Sequence, residues 1–343
     1  MKVAVVQNQK HNGVICRFGV PCKETYGQKT VQAVVAALRE GGHEVLLCGG
    51  DKSLLGTLEE FMPAGLDGRP TGMVFNMAYG IQGECRYTHV PAMLEMAGIP
   101  YTGSSPLGHA LALDKVVTKD LIRAAGIPTP NYRVMDGTEA GCEDLRFPVI
   151  VKPRHESTSF GLRLVHDPRE LPEAVRTVAG EFGQTALVEE YVEGREVCVA
   201  LLGNGQPELL PIVEQDFGDR SVRILTWEDK YHKSPVEARK ICPAALGAGL
   251  AERIRKISLH TFRAVHCRDY GRVDLRIDRH GQPWVLEINS MASLGAGGSY
   301  VLAAAAAGYT FEALVNRILD VAHIRYFAGA AVPSAEQALC PLA

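Results

Sequence analysis

Apolar and polar residues alternate through Gly271-Arg272-Val273-Asp274-Leu275-Arg276-Ile277-Asp278 and again through Pro283-Trp284-Val285-Leu286-Glu287-Ile288-Asn289, with His280-Gly281 between the two runs. A period of two marks a half-buried strand, so the runs predict a hairpin. A tight loop of two or four residues centred on His280-Gly281 sets Asp274 opposite Glu287 and Arg272 opposite Asn289. The first third of the chain has another rhythm. Residues 3–6, 44–47 and 72–75 are short apolar runs that predict buried strands. Val31, Val34, Val35 and Leu38 recur at helical spacing within 30–40, and Gly41-Gly42 ends that helix. Residues 91–97 predict a further helix. Strands alternating with helices imply a parallel sheet, and ligands gather at the carboxyl ends of such strands. Here those ends are Gln7, Asn8 and residues 76–80.

Turn-forming residues at 101–106 mark a boundary. Beyond it, 111–125 reads as one helix carrying Asp114, Lys115 and Lys119, ended by Gly126-Ile127-Pro128. Short strands and one helix over 131–191 predict a small α+β domain, and the remainder to about 327 a larger α+β unit holding the hairpin. Residues 216–238 form a long polar loop, which in a compact domain is usually functional or disordered. The expected division is therefore 1–110, 111–191 and 192–328, with an Ala/Pro-rich flexible tail over 329–343. The fold class is α/β and α+β.

Composition narrows the function. The 343 residues are 46% hydrophobic and 22% charged, with a formal net charge of −3 and no basic block, which argues against a nucleic-acid partner. No run approaches the ~20 apolar residues of a membrane span. The short apolar run at the start reads as a first strand and not as a secretion signal. The nine cysteines contain no Cys-x-x-Cys pair, which predicts reduced thiols and a cytoplasmic setting. The histidines show no metal-ligand spacing.

The hairpin carries the first candidate chemistry. Opposed like charges on one sheet face destabilise it. Asp274, Glu287 and Asn289 supply only oxygen ligands, which suit a hard divalent cation such as Mg²⁺ shared with phosphates. The alternative is a solvated hairpin whose acids pair with Arg272 and Arg276. Upstream, the strand at 147–153 ends in Lys152 and is followed by Ser157-Thr158-Ser159-Phe160-Gly161, a loop able to offer backbone N–H groups to phosphate. Leu187-Val188-Glu189-Glu190-Tyr191-Val192-Glu193-Gly194-Arg195-Glu196 then runs as a strand and breaks at Glu193-Gly194, where a carboxylate can bond a ribose hydroxyl.

These segments occur in one order, preceded by Ile99-Pro100-Tyr101-Thr102-Gly103-Ser104 and Leu113-Asp114-Lys115. Together they resemble the ATP-grasp superfamily and, within it, the D-alanine–D-alanine ligase family, strongly over about 94–320 and faintly before that. The resemblance implies a three-domain ATP-grasp fold with ATP held between the central and C-terminal domains, and Mg²⁺ (or Mn²⁺) on Asp274, Glu287 and Asn289. It implies Lys115 and Lys152 on ATP phosphates, and Glu189 and Glu196 on adenine-side and ribose groups. Glu190, Tyr191 and Val192 match the hinge strand beneath the base. Thr158 and Ser159 match the loop that closes over the phosphates, and Lys230 and Tyr231 a Lys-Tyr pair on the mobile active-site loop. Arg272 matches the arginine that binds the acceptor carboxylate, with the run to Gly298 and Ser299 offering further donors. A homodimer of an enzyme acting on small amino acids is also implied.

Three stretches depart from the family. Its Gly-Gly-x-Ser-x-Glu stretch, whose Glu holds the first substrate's ammonium, is absent; the region reads Gln7-Asn8-Gln9-Lys10-His11-Asn12-Gly13. Asn76-Met77-Ala78-Tyr79-Gly80-Ile81-Gln82-Gly83-Glu84 and Ser290-Met291-Ala292-Ser293-Leu294-Gly295-Ala296-Gly297-Gly298-Ser299-Tyr300 replace two more of its motifs. The expectation is an ADP-forming carboxylate–amine ligase that works through an acyl phosphate on altered substrates. Alternatives are ring closure or phosphorylation of the substrate, ordinary D-alanyl-D-alanine synthesis, and a non-catalytic ATP-binding module.

Overall fold

A computed structural model describes residues 1–8, 22, 24–137, 144–230 and 238–328, with only the backbone described for Glu228 and Lys230. Residues 9–13 of the replaced N-terminal motif, Tyr231 and the tail over 329–343 lie outside the described residues. In the first sheet, β1 (Lys2–Gln7) lies between β2 (Glu44–Gly49) and β3 (Gly72–Met77), parallel to both. Helices α1 (Gln28–Glu40), α2 (Leu54–Phe61) and α3 (His89–Met96) accompany it. Helices on both faces bury Val3, Ala4, Val5 and Val6 completely, which is why this strand reads as unbroken apolar sequence. The expected strands are each present and slightly longer. Helix α2 was not expected, because Gly56 interrupts its short apolar pattern.

The boundary expected at 101–106 is core: Tyr101, Thr102 and Ser104 are fully buried, and Tyr101 bridges Val74 of β3. The single helix expected over 111–125 is two, α4 (Pro106–Leu113) and α5 (Lys115–Ala124). Asp114 between them is extended, and its carboxylate accepts bonds from the N–H groups of Val116 and Val117. It is an N-cap. Apolar spacing crosses the break unchanged because both helices pack against the same strand of the last sheet.

The middle sheet is antiparallel, ordered β4 (Tyr132–Met135), β7 (Ala186–Glu190), β5 (Val149–Pro153), β6 (Arg163–Val165), with α6 (Leu171–Phe182) packed beneath it. The last sheet runs β11 (Arg239–Ile241), β10 (Val213–Asp216), β8 (Gly194–Leu202), β12 (Tyr270–Asp278), β13 (Pro283–Asn289), with β9 (Glu208–Leu209) paired to β8. Its helices are α7 (Trp227–Lys230), α8 (Ala248–Ala264), α9 (Ser299–Ala306) and α10 (Phe311–Phe327). Val197, Val199, Leu201, Val273 and Leu275 face α5 and α8. On the other face Ala200, Leu202 and Val213 share a core with α9, α10, α1 and the first sheet, so α10 ties the N-terminal unit to the last sheet.

The hairpin of β12 and β13 pairs Asp274 with Glu287 and Arg272 with Asn289, the expected register. Nearer the turn the register differs: Leu275 faces Val285 and Ile277 faces Pro283. The loop is therefore odd-numbered and centred on His280, neither the two- nor the four-residue loop expected, and Leu286 is an extra residue that restores the pairing at the acids. This bulge lets Val285 and Ile288 enter one core while Leu286 and Glu287 both line the opposite cavity.

Candidate active site

The middle and last sheets enclose a cavity of about 480 Å³ that opens toward residues 24–27 of the first unit. Strand β5 delivers Lys152 to it and strand β7 delivers Glu189, because Ile150 pairs with Glu189 and alternation then turns both charged groups the same way. Glu189 is buried between two ammonium groups. Its Oε1 accepts from Lys152, and Lys119 lies 2.7 Å from Oε2. Burial alone would raise the carboxyl pKa, but the two lysines outweigh it and hold it low. Burial lowers Lys119 to about 8, against the pull of Glu189. Lys152 is shifted the other way: Glu189 and Glu287 overcome its burial and keep it charged.

Lys115 bridges two parts of the site. Its ammonium donates to the Glu156 carbonyl and lies 3.8 Å from Glu287. Glu156 leads into the loop of Ser157, Thr158 and Ser159, where Thr158 and Ser159 are both left-handed at φ 57°. Two consecutive non-glycine residues in that region store about 1–3 kcal/mol each, the kind of strain found at ligand-binding loops. The polar segment after β10 leans on this loop: Trp227 packs 6.2 Å from the Phe160 ring, and Asp229 anchors Arg220 and the Thr226 N–H.

Glu190 and Glu196 are separated by strand geometry. Glu190 turns away from the cavity and is forked by Arg146 at 3.1 and 2.6 Å, leaving its backbone as the cavity wall beside Tyr191 and Val192. Glu196 lines the cavity and pairs with Arg276 at 3.1 Å. Arg276 stacks 4.8 Å over the Tyr191 ring.

Asp274, Glu287 and Asn289 converge across β12 and β13. Arg272 forks Asp274 with two 2.6 Å bonds, and Asn289 Nδ2 donates to Asp274 Oδ2 at 3.0 Å. The Arg272 guanidinium stays charged because Asp274 outweighs its burial. Part of the hairpin's charge is thus balanced by Arg272, as the alternative reading expected, whereas Arg276 serves Glu196 and Glu287 has Lys115 beside it. The remaining donors are all oxygens on a half-buried wall, a set that fits one hard divalent cation. Gly298 caps α9, so the helix begins at Ser299 at the cavity wall, and a helix N-terminus favours negative charge.

Sequence reasoning placed no carboxylate at the N-terminal side of the site. The structure places Glu24 there. Its Oε2 accepts from the hydroxyls of both Tyr87 and Ser157, and it lines the cavity with Tyr26 and Tyr79, whose rings stack at 5.1 Å. No local signal marks Glu24, because its partners lie 63 and 133 residues away. The side chain of Lys230 and all of Tyr231 lie outside the described residues, so only the approach of α7 to the cavity is visible.

An antiparallel four-stranded sheet and a larger sheet gripping one charged cavity, with a parallel unit ahead of them, is the ATP-grasp architecture. The family described as "D-ala D-ala ligase C-terminus" matches residues 121–320. The D-alanine–D-alanine ligase of Carboxydothermus hydrogenoformans is 33% identical over 321 residues, covering 90% of this chain and 96% of that protein. An uncharacterized protein of Sinorhizobium fredii, y4sG, is 57% identical over 331 residues, covering 95% of this chain and 98% of its own. The crystal structure of D-alanine–D-alanine ligase from Bacillus anthracis complexed with ATP superposes with a TM-score of 0.74 at 24% identity, covering 96% of this chain and all of that one. The chain belongs to the D-alanine–D-alanine ligase family. Among the described residues, no helix is long and apolar enough to cross a membrane.

Proposed function

We propose that the protein is an ATP- and Mg²⁺-dependent, ADP-forming ligase that joins the carboxylate of one amino acid to the amine of another, with a substrate range altered from D-alanine. The observation that carries this reading is the convergence on one cavity of a lysine pair, a strained Ser/Thr loop, an acid pair with an asparagine and a helix N-terminus. The relatives named D-alanine–D-alanine ligase support the ligase class. The wall of Tyr26, Tyr79 and Tyr87 around Glu24, with Tyr79 in a stretch where the sequence departs from the family's motif, supports altered substrates.

The chain's own groups divide the work. Lys115, Lys152 and the backbone of Thr158 and Ser159 bind the nucleotide's phosphates, and Glu196 with the Tyr191–Val192 segment lies at the ribose and base. Asp274, Glu287 and Asn289 would hold a divalent cation, which would supply positive charge to the terminal phosphates. Glu24 receives the ammonium of the first amino acid, two hydroxyl donors having already fixed its orientation. An oxygen of that substrate's carboxylate attacks the γ-phosphorus, and ADP leaves. The amine of the second amino acid then attacks the acyl-phosphate carbonyl, and phosphate leaves as the nitrogen loses a proton. Arg272, Ser299 and the first N–H groups of α9 hold the second substrate's carboxylate, and Arg272 stabilises the developing oxyanion. Closure of the polar segment after β10, with Lys230 and Tyr231, excludes water that would hydrolyse the acyl phosphate.

The test is ADP release in a screen of D- and L-amino acid pairs, with products identified by mass. A dipeptide-mass product and near-complete loss of release in Glu287→Gln are expected. Normal turnover in that variant refutes the metal assignment, and a product of unchanged connectivity plus one phosphate refutes ligation.

A further inference from the structure

Arg276 has no part in the chemistry above, yet its guanidinium joins separate parts of the chain. It lies on β12 opposite Glu196 of β8, on the face that also carries Arg272 and Asp274, while Val273, Leu275 and Ile277 point into the core on the other side. The side chain is buried. Nη1 donates to Glu196 Oε2 at 3.1 Å and to the Arg223 carbonyl at 2.7 Å. Nη2 donates to the Gly194 carbonyl at 2.9 Å and to the Tyr191 hydroxyl at 3.2 Å. That hydroxyl in turn donates to the same Arg223 carbonyl at 3.2 Å. Tyr191 and Glu196 line the cavity, whereas Arg223 lies on the polar segment after β10.

The tie at Arg223 restrains more than one residue. Asp229 accepts both arms of Arg220, at 3.0 and 2.7 Å, and the Thr226 N–H at 2.8 Å, which closes 220–229 into one piece. Ile224, Leu225 and Asp229 of that piece line the cavity, and Trp227 packs against Phe160 beside the Ser/Thr loop. The segment is thus fastened both to the strands that carry Tyr191 and Glu196 and to the loop that carries Thr158 and Ser159. A planar guanidinium can hold Glu196 and the Arg223 carbonyl at once because its donors are fixed in a fork, and charge-assisted bonds of this kind are stronger than neutral ones.

We propose that Arg276 is a positioning residue that latches the segment 217–230 against the cavity and thereby keeps water from the acyl phosphate. This rests on the ligase reading, which supplies that intermediate. Without the latch, a water oxygen attacks the acyl carbonyl in place of the amine. The bond from the carbonyl carbon to the phosphate oxygen breaks, phosphate leaves, a proton is released and the first amino acid returns unchanged. The sum is ATP and water giving ADP and phosphate, with no peptide bond formed. Loss of the latch therefore appears as futile ADP release, and not only as slower turnover.

The experiment uses the full chain as wild type, Arg276→Met and Arg276→Lys, with Mg²⁺, saturating ATP and the amino acid pair that best supports wild-type turnover. ADP and ligated product are measured in the same reaction, the product by mass. Wild type is expected to release about one ADP per product, and each variant at least about threefold more, because a lysine keeps a cation beside Glu196 but cannot also span to Arg223. A merely structural defect lowers both outputs together and leaves their ratio unchanged. Trypsin, added with Mg²⁺ and a non-hydrolysable ATP analogue, reads the latch directly. Cleavage after Arg220, Arg223 and Lys230, identified by fragment mass, is expected to be at least about fivefold faster in the variants. An unchanged ratio in either folded variant overturns the proposal, as does unchanged cleavage; if Arg276→Met does not fold, Arg276→Lys decides. If wild type forms no ligated product with any amino acids, the ligase reading fails, and cleavage alone upholds or overturns the latch.

Discussion

Arg272 grips Asp274 through two parallel bonds, Nε to Oδ1 and Nη2 to Oδ2, each 2.6 Å long. The residues are two apart on β12 and share a face, so one side chain both orients a carboxylate of the acid pair and presents a cation to the cavity. Lysine offers a compact ammonium and no fork. Arg272→Lys is expected to lower kcat about 100-fold, equivalent to about 3 kcal/mol, while melting stays within a few degrees of wild type. Activity within threefold of wild type in an ADP-release assay would show that the fork does not matter.

Glu189 should be the most structurally costly acid in the site. Removing its charge leaves Lys119 and Lys152 buried without a counter-ion, and breaking a buried pair from one side costs about 3–5 kcal/mol. Glu189→Gln is expected to lower the urea midpoint by an amount matching that range. Adding Lys119→Met should recover part of the loss, and a double variant no more stable than the single one counts against the charge explanation.

Burial holds the His109 imidazole neutral, its pKa lowered from 6.5 to about 3, with Nδ1 lying 2.8 Å from Ser290 Oγ. The unfolded chain takes up this proton first as pH falls. The contribution to stability is therefore complete above pH 6.5 and is lost downward through the window from 6.5 to 3. At pH 5 the loss is about 2 kcal/mol. His109→Gln should flatten the fall in unfolding free energy between pH 7 and 5 by that amount, and an unchanged slope would assign the acid sensitivity elsewhere.

Gly194 adopts φ +147°, and a Cβ there would stand 1.9 Å from the Ile277 carbonyl oxygen. The same glycine's carbonyl accepts from Arg276 Nη2 at 2.9 Å, next to Glu196. Gly194→Ala is expected to cost more than about 2 kcal/mol and to weaken nucleotide binding, because β8 must shift away from β12. Unaltered ATP-analogue affinity by calorimetry would show that the hinge tolerates the shift.

The acid pair was legible because alternation over a hairpin fixes which residues face each other near Asp274 and Glu287. The bulge at Leu286 was not, since the consecutive apolar residues Trp284, Val285 and Leu286 fit either register and only the core and the cavity on the two sides of β13 separate Val285 from Leu286. The break at Asp114 was hidden for a related reason. Two helices lying on one surface keep a common apolar spacing, and only the capping bonds to Val116 and Val117 separate them.

The sequence alone determined most of the strands and helices, the parallel first unit and the register of the acid pair, because these depend on short-range periodicity and residue chemistry. The tertiary structure decided that Glu24 joins Ser157 and Tyr87, that Glu189 rather than Glu190 turns inward, and that Gln215 stands behind Ser299. Those relationships join residues far apart in the chain, and only packing of the three sheets around one cavity brings their side chains within bonding distance.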